Sequence, residues 1–125
     1  MGVKLSQVVI GGMSDRGWGR ILFMGTIGIE NPGTHSPGYY GSKAALVPIV
    51  KSLARELNQT GITVNLINPG MIATAEVKEM LQKSARKKGI EADWFEIERW
   101  ATSEFMPNLT GRLSTPESIG DIVAF

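Results

Sequence analysis

Two short apolar runs separated by a helical segment most constrain what this chain can fold into. The runs are Arg20–Met24, which is flanked by glycines as a buried parallel strand should be, and Ile62–Ile67. Residues 38–57 between them predict a helix, in which Pro48 should loosen one turn because proline has no N–H to donate. Strand, helix and strand in this order form a βαβ unit with parallel strands. The expected fold class is therefore α/β.

Capping signals predict four further helices around this unit. Glycine ends the first helix, and a side chain that can accept a hydrogen bond from the backbone begins each of the last two. The predicted helices are residues 2–15, residues 75–88 with Gly89 as the stop, a segment from Asp93 to about Phe105, and a last helix that follows Thr115-Pro116.

Composition excludes several classes of function. The net charge is +1 with scattered basic residues, so nothing favours nucleic-acid binding. No apolar run approaches the roughly 18 residues of a membrane span, so no membrane partner is expected. The chain has no cysteine, which fits a reducing compartment, and we expect a cytoplasmic protein.

Tyr39 and Lys43 are the first residues that suggest chemistry. At positions i and i+4 of the predicted helix they lie on one face, one turn apart. An ammonium favours the ionised form of a nearby phenol, so such a pair can exchange a proton near neutral pH. The alternatives are a tyrosine packed at a helix start, for which Tyr40 is the obvious choice, and a solvated lysine.

Three further segments give this pair a context: Thr26 after the first strand, Asn68–Thr74 after the second, and Gly111–Glu117. In this order the landmarks resemble the C-terminal half of the short-chain dehydrogenase/reductase family, including members labelled 3-oxoacyl-acyl-carrier-protein reductases. The resemblance runs from about Val3 to Phe125. It implies a partial Rossmann fold, the C-terminal half of a doubly wound parallel sheet with flanking helices, as one incomplete domain over residues 1–125.

The resemblance also implies catalytic roles. Tyr39 would be the general acid/base that protonates or deprotonates the substrate oxygen, and Lys43 would assist it and hydrogen-bond the ribose of the nicotinamide cofactor. Thr26 stands where the family usually has serine, whose hydroxyl bonds the substrate oxygen. The other interpretation of Thr26 is a threonine that caps a loop turn. The implied substrate is a small carbonyl or alcohol compound.

The segment after the second strand would complete the cofactor contacts, and the cofactor would be NAD or NADP. Pro69, Gly70, Ile72 and Thr74 match the family's segment beside the nicotinamide, with Tyr39 and Lys43 as the other cofactor-binding residues. Thr74 could also be the N-cap of helix 75–88, and both roles are compatible because one hydroxyl can donate and accept.

Other residues invite weaker interpretations. His35 is the single histidine, and with no cysteine present we expect no metal site. The remaining pattern is aromatic and apolar at helical spacing, which fits either a mobile substrate lid or core packing. Its members are Trp94, Phe95, Ile97, Trp100 and Phe105.

The family's glycine-rich phosphate loop does not occur in this sequence, so we expect a chain truncated at both ends, with much of its cofactor affinity lost. Two alternatives to an enzyme follow. One is a non-catalytic protein that docks on a full-length relative, since helices such as 2–15 and 38–57 pair across a dimer axis in this family and make the parent a homo-oligomer. The other is a structural fragment without activity.

Overall fold

The computed structural model describes residues 2–124, so Met1 and Phe125 of the predicted domain lie outside the described residues. The chain divides into two compact units, residues 1–69 and residues 70–125. That the chain represents one incomplete domain stays a prediction.

The first unit contains the predicted βαβ arrangement. Its elements are helix α1 (Gly2–Asp15), strand β1 (Gly19–Met24), helices α2 (Pro37–Ala44) and α3 (Leu46–Glu56), and strand β2 (Ile62–Ile67). The strands pair in parallel, with Gly19 opposite Ile62 and Met24 opposite Ile67. The strand–helix–strand prediction is therefore confirmed, and both strands end at the same edge of the sheet.

Strand β1 is buried on one face only, which corrects the expectation of a fully buried strand. Its buried side chains, Ile21 and Phe23, form a cluster with Val50 of α3, and Phe23 also lies against Gly2 of α1. Met24, on the other face, is exposed. Strand composition indicated burial but could not indicate how many faces are covered, because that depends on which helices pack against the sheet.

The helix predicted over residues 38–57 is two helices. They are separated at Ala45, three residues before Pro48. The break lies there because proline cannot donate a hydrogen bond to the carbonyl of Ala44, four residues back, and its ring crowds that carbonyl. The predicted loosening is confirmed, and it leaves α2 as a separate short helix.

The second unit is helical. It contains helices α4 (Ala75–Lys87), α5 (Trp94–Trp100) and α6 (Pro116–Ala124), with a π-helical turn over Ala101–Phe105. Residues Ile72 and Ser114 form an isolated parallel bridge. The core of the unit consists of Ala73, Leu81, Ala85, Ile97, Trp100, Ala101 and Leu113.

The predicted helix starts of this unit, and the stop at Gly89, are confirmed. Asp93 accepts the N–H of Glu96 at 3.0 Å, and Thr115 accepts that of Ser118 at 3.1 Å. Gly89 follows α4 with a φ of 76°, the left-handed conformation that commonly ends a helix.

The helix that begins after Asp93 does not stay α-helical to Phe105. The hydroxyl of Thr102 donates to the carbonyl of Glu98 at 2.8 Å, and that of Ser103 donates to Arg99 at 2.8 Å. These side-chain bonds compete for carbonyls of the last α-helical turn and accompany its widening.

Candidate active site

The Tyr39–Lys43 pair lies on α2 as its spacing predicts. Pro37 begins this helix, and its missing N–H costs nothing at a first turn. The ammonium nitrogen Nζ of Lys43 is 5.9 Å from the centroid of the Tyr39 ring, and the Tyr39 side chain is 48% exposed. The phenol is therefore accessible from solvent, with a cation beside its ring.

Lys43 is held in place by the backbone of β1. Its Nζ donates to the carbonyl oxygen of Met24 at 2.7 Å. Met24 is the last residue of the strand, so this bond places the ammonium at the carboxyl edge of the sheet. An ammonium has three N–H donors, and this contact uses one of them.

Thr26 follows β1 at the same edge. Its hydroxyl accepts the N–H of Gly28 at 3.2 Å and caps a 3₁₀ turn over Ile27–Ile29, so the capping interpretation is confirmed. The Ile27 N–H donates to the carbonyl of Pro69 at 3.0 Å, which ties this turn to the end of β2. Capping uses the hydroxyl as an acceptor and leaves its proton available to another group.

Tyr40 has the role of a tyrosine packed at the start of a helix, which was the alternative interpretation for this pair of tyrosines. The two tyrosine rings meet edge to face, with centroids 5.4 Å apart. Tyr40 is half-buried and lies on Gly28 so closely that a Cβ there would overlap its ring. Gly28 is thus required by the contact between α2 and the Thr26 turn.

Asn68, the first residue of the Asn68–Thr74 segment, has a specific place in the structure. Its side chain lies against Gly25, and its Oδ1 is buried without a hydrogen-bond partner among the described residues. A buried unpaired oxygen is costly, and an ordered water or a ligand is one way in which such an atom is satisfied. Its position directly after β2 was the signal that could have identified it.

Gly70, Ile72 and Thr74 belong to the second unit. The N–H of Thr74 donates to the Ile72 carbonyl at 2.8 Å, and its hydroxyl accepts the N–H of Val77 at 3.3 Å as the N-cap of α4. The backbone N–H of Glu76, and then the Thr74 hydroxyl, hold the pKa of the Glu76 carboxyl below its usual value. The capping prediction for Thr74 is confirmed, and its cofactor role stays a prediction.

The remaining predictions divide as follows. Within the aromatic pattern, Ile97 and Trp100 are core residues, whereas Phe95 and Phe105 are exposed. His35 lies in an exposed loop. No group of three potential metal-ligating residues occurs among residues 2–124, and none of the helices in that range could cross a membrane.

Comparisons with known proteins agree on one family. The family model described as short chain dehydrogenase matches residues 2–85. An acetoacetyl-CoA reductase of Cupriavidus necator is 32% identical over 110 residues, which are 81% of this chain and 45% of that protein. A 3-oxoacyl-[acyl-carrier-protein] reductase of Vibrio cholerae is 31% identical over 122 residues, which are 98% of this chain and 43% of that protein.

A solved structure confirms the fold class. L-sorbose reductase from Gluconobacter frateurii, complexed with NADPH and L-sorbose, matches with a TM-score of 0.79 and 31% identity. The match covers 98% of this chain and 45% of that one. The chain thus has the α/β fold of part of a Rossmann sheet, and it spans less than half the length of each of these three relatives.

Proposed function

The chain belongs to the short chain dehydrogenase family, and from this membership we propose an NAD(P)-dependent oxidoreductase in which Tyr39 is the general acid/base. The observation that supports this most directly is the bond from Lys43 Nζ to the Met24 carbonyl, which places the cation beside the phenol at the carboxyl edge of the sheet. Ligands of open α/β sheets bind beyond this edge.

The proposed chemistry is a proton transfer at the hydroxyl oxygen of Tyr39. In reduction, Tyr39 donates its proton to the substrate oxygen, and in oxidation it accepts the proton of the substrate hydroxyl. Lys43 stabilises the phenolate through its charge. The hydroxyl of Thr26 donates a hydrogen bond to the same substrate oxygen, because its oxygen accepts the N–H of Gly28 and its O–H is not used in that contact. A bound nicotinamide supplies or accepts the hydride.

The residues of the first unit fit a nicotinamide nucleotide. Two N–H donors of Lys43 are not used by Met24 and suit the two hydroxyls of a ribose. The Tyr39 phenol is accessible, as a group that contacts cofactor and substrate must be. Pro69, and Gly70, Ile72 and Thr74 of the second unit, are proposed as further cofactor-binding residues on their match to the family. Both NAD and NADP stay candidate cofactors.

The proposed substrate is a small carbonyl or alcohol compound. Two relatives are named for reduction of an acetoacetyl thioester and of 3-oxoacyl groups on a carrier protein, and a third for reduction of L-sorbose. Their common chemistry is a ketone that becomes a secondary alcohol. We therefore propose a ketone as the substrate class and do not choose among these compounds.

The test compares two adjacent tyrosines in the intact chain. Oxidation of NADPH and of NADH is followed with an acetoacetyl thioester and with L-sorbose. Tyr39→Phe should lower turnover by a factor of about 10² to 10⁴, since it removes the transferable proton. Tyr40→Phe, the matched control, keeps the ring that packs on Gly28 and should retain most of the activity. Equal activity of Tyr39→Phe and the unchanged chain would remove the assignment.

A second function is favoured by one observation on α1. The helix exposes four apolar side chains, and Val8 is 80% exposed. Such a surface suits a partner, and we propose as the alternative a non-catalytic protein that docks on a full-length relative through α1 and through α2 and α3. The exposed side chains are Val3, Leu5, Val8 and Val9.

Calorimetry distinguishes the two functions. Micromolar binding of NADPH or NADH by the isolated chain would contradict the expected loss of cofactor affinity and would support an oxidoreductase that works without a longer parent. No cofactor binding, together with an association that Val8→Lys abolishes and Lys4→Gln leaves unchanged, supports the docking protein. The proposal has three further parts. The order of the motifs supports a longer parent that this chain matches in its C-terminal half, and the exposed face of α1 supports a homo-oligomer of that parent. The absence of cysteine supports a cytoplasmic location.

A further inference from the structure

The second unit contains a cavity of about 580 Å³ that the proposed proton transfer does not use. Its size lies within the range of roughly 300–1,000 Å³ that is typical of small-molecule sites. The buried residues Ala73 and Leu113 contribute to its lining, together with side chains of α4, of α5 and of residues 110–115. It is thus a concave surface with apolar residues among its walls.

Three cations line this cavity, and each comes from a different part of the unit. Lys78 lies on α4, Arg99 on α5, and Arg112 in the segment before the Ser114 bridge. The one carboxylate in the lining is that of Glu98, and it is already engaged, because its Oε1 accepts the N–H of Leu113 at 3.0 Å. Glu117, outside the lining, interacts electrostatically with Lys78, so the excess positive charge of the cavity is that of Arg99 and Arg112.

The two arginines are available for a ligand. No carboxylate among residues 2–124 forms an ion pair with Arg99 or Arg112; the ion pair found in that range joins Lys83 and Glu79 on α4. A guanidinium presents a planar fork of N–H donors that matches a carboxylate or phosphate group. Two such forks on one cavity favour an oxyanion.

Two aromatic side chains add a flat apolar wall beside these cations. The Nζ of Lys78 lies 5.2 Å from the centroid of the Trp94 ring, a cation–π contact that brings the ammonium to this wall of the cavity. Phe95 also lines the cavity and is 65% exposed, although a large apolar side chain gains by burial. A ligand with an apolar or aromatic body would cover it.

We propose that this cavity binds a small organic oxyanion, a carboxylate or phosphate ester carried on an apolar or aromatic body. Arg99 and Arg112 bind the oxyanion, Lys78 adds charge, and Trp94 and Phe95 contact the body. The site lies wholly within the second unit and does not depend on the reaction proposed for Tyr39.

The test uses the intact chain labelled with ¹⁵N, in which the indole N–H of Trp94 reports on the cavity. Phenyl phosphate and benzoate should shift this resonance saturably and bind at least about tenfold more tightly than benzyl alcohol, which lacks the charge. The indole resonance of Trp18, in the first unit, should not move. The stronger of the two anions identifies the oxyanion that the site prefers.

Matched variants assign the binding to the named residues. Arg99→Gln and Arg112→Gln should each lower the affinity for the preferred anion by about tenfold, since each removes a charge-assisted contact. Lys87→Gln is the control, because this exposed lysine of α4 does not line the cavity and should leave the affinity unchanged. Phe95→Ser should lower the affinity for phenyl phosphate and leave the affinity for inorganic phosphate unchanged.

Three results would overturn the proposal. The first is equal affinity for benzyl alcohol and for both anions. The second is unchanged affinity in both arginine variants while circular dichroism shows a retained fold. The third is inorganic phosphate binding as tightly as phenyl phosphate, which would indicate an adventitious ion only.

Discussion

The two units of this chain differ in how completely they bury their cores. In the second unit Leu81, Ala85 and Ala101 have no exposed surface, although Trp100, Leu113 and Ala73 keep 6–9% of theirs, whereas every core residue of the first unit keeps 6–8%. The first unit rests on a two-stranded sheet with one buried face, and the second on helices that surround their apolar side chains. A helical cluster of this size can close around a side chain, and one face of two strands cannot.

The units also use their polar side chains differently. In the first unit Lys43 is bound to a backbone carbonyl at the end of a strand, beside an exposed phenol. In the second unit Thr74, Asp93 and Thr115 satisfy helix N-termini. The proposed reactive groups thus belong to the first unit, where the Thr26 cap serves only a 3₁₀ turn, and the caps of the α-helices to the second.

Truncation of one leucine in each unit is the strongest test of this difference. Leu81→Ala should lower the free energy of unfolding by about 4 kcal/mol, because a fully enclosed site leaves a cavity. Leu57→Ala should cost about 2 kcal/mol, since a partly open site can relax or admit water. Urea unfolding followed by circular dichroism measures both, and a cost for Leu57→Ala as large as that for Leu81→Ala contradicts the comparison.

Two glycines with the same backbone conformation give the next largest effect. Gly61 and Gly89 have φ values of 75° and 76°. Alanine at Gly89 meets no atom and should cost about 1 kcal/mol for its left-handed conformation. Alanine at Gly61 would also overlap the carbonyl of Gly17, so Gly61→Ala should cost more than about 2 kcal/mol. The difference in thermal midpoint checks this, and equal midpoints would show that the turn at Gly17 moves freely.

The two threonine caps should differ by a smaller amount. Thr74→Ala removes the cap of a 13-residue helix and should cost about 1 kcal/mol. Thr26→Ala removes the cap of a three-residue turn and should cost less than about 0.5 kcal/mol, although the proposed function requires it to lower turnover. Parallel denaturation and activity assays separate the two effects. A stable, fully active Thr26→Ala protein would leave Thr26 with a capping role alone.

The smallest expected effect is a pH dependence of the stability of helices α4 and α6. The backbone N–H of Glu117, and then the Thr115 hydroxyl, lower the pKa of the Glu117 carboxyl, as happens at Glu76. Because the folded pKa lies below the unfolded one, the stabilisation is complete above the unfolded value and is lost as the pH falls through the folded value.

Both carboxyls are fully exposed, so solvent keeps this effect small. The variant Glu76→Gln should flatten the acid limb of stability against pH, and Glu91→Gln, at an exposed carboxyl that follows α4 and caps no helix, serves as the control. An acid limb that Glu76→Gln leaves unchanged would count against the cap.

Local chemistry allowed much of the fold to be predicted. The bounds of β2 agree with the prediction, β1 begins one residue earlier, and the caps at Asp93 and Thr115 act where expected. The break before Pro48 also follows from its missing N–H. Each of these depends on residues within a few positions of one another, so the sequence contains the needed information.

The candidate site was predictable only in part. The spacing of Tyr39 and Lys43 placed them on one helix face, and the resemblance supplied their roles. The carbonyl of Met24 as the partner of Lys43, and the unpaired oxygen of Asn68, were not predictable, because each depends on a contact between segments far apart in the chain.

The sequence by itself determined the α/β class, the family, and which side chains are candidates for proton transfer, since periodicity, turn residues and motif order are written along the chain. The tertiary structure alone decided that β1 is covered on one face, that Lys43 is bound at the strand end, and that three cations line one cavity of the second unit. These features depend on how distant segments pack, and packing distances do not appear in the order of residues.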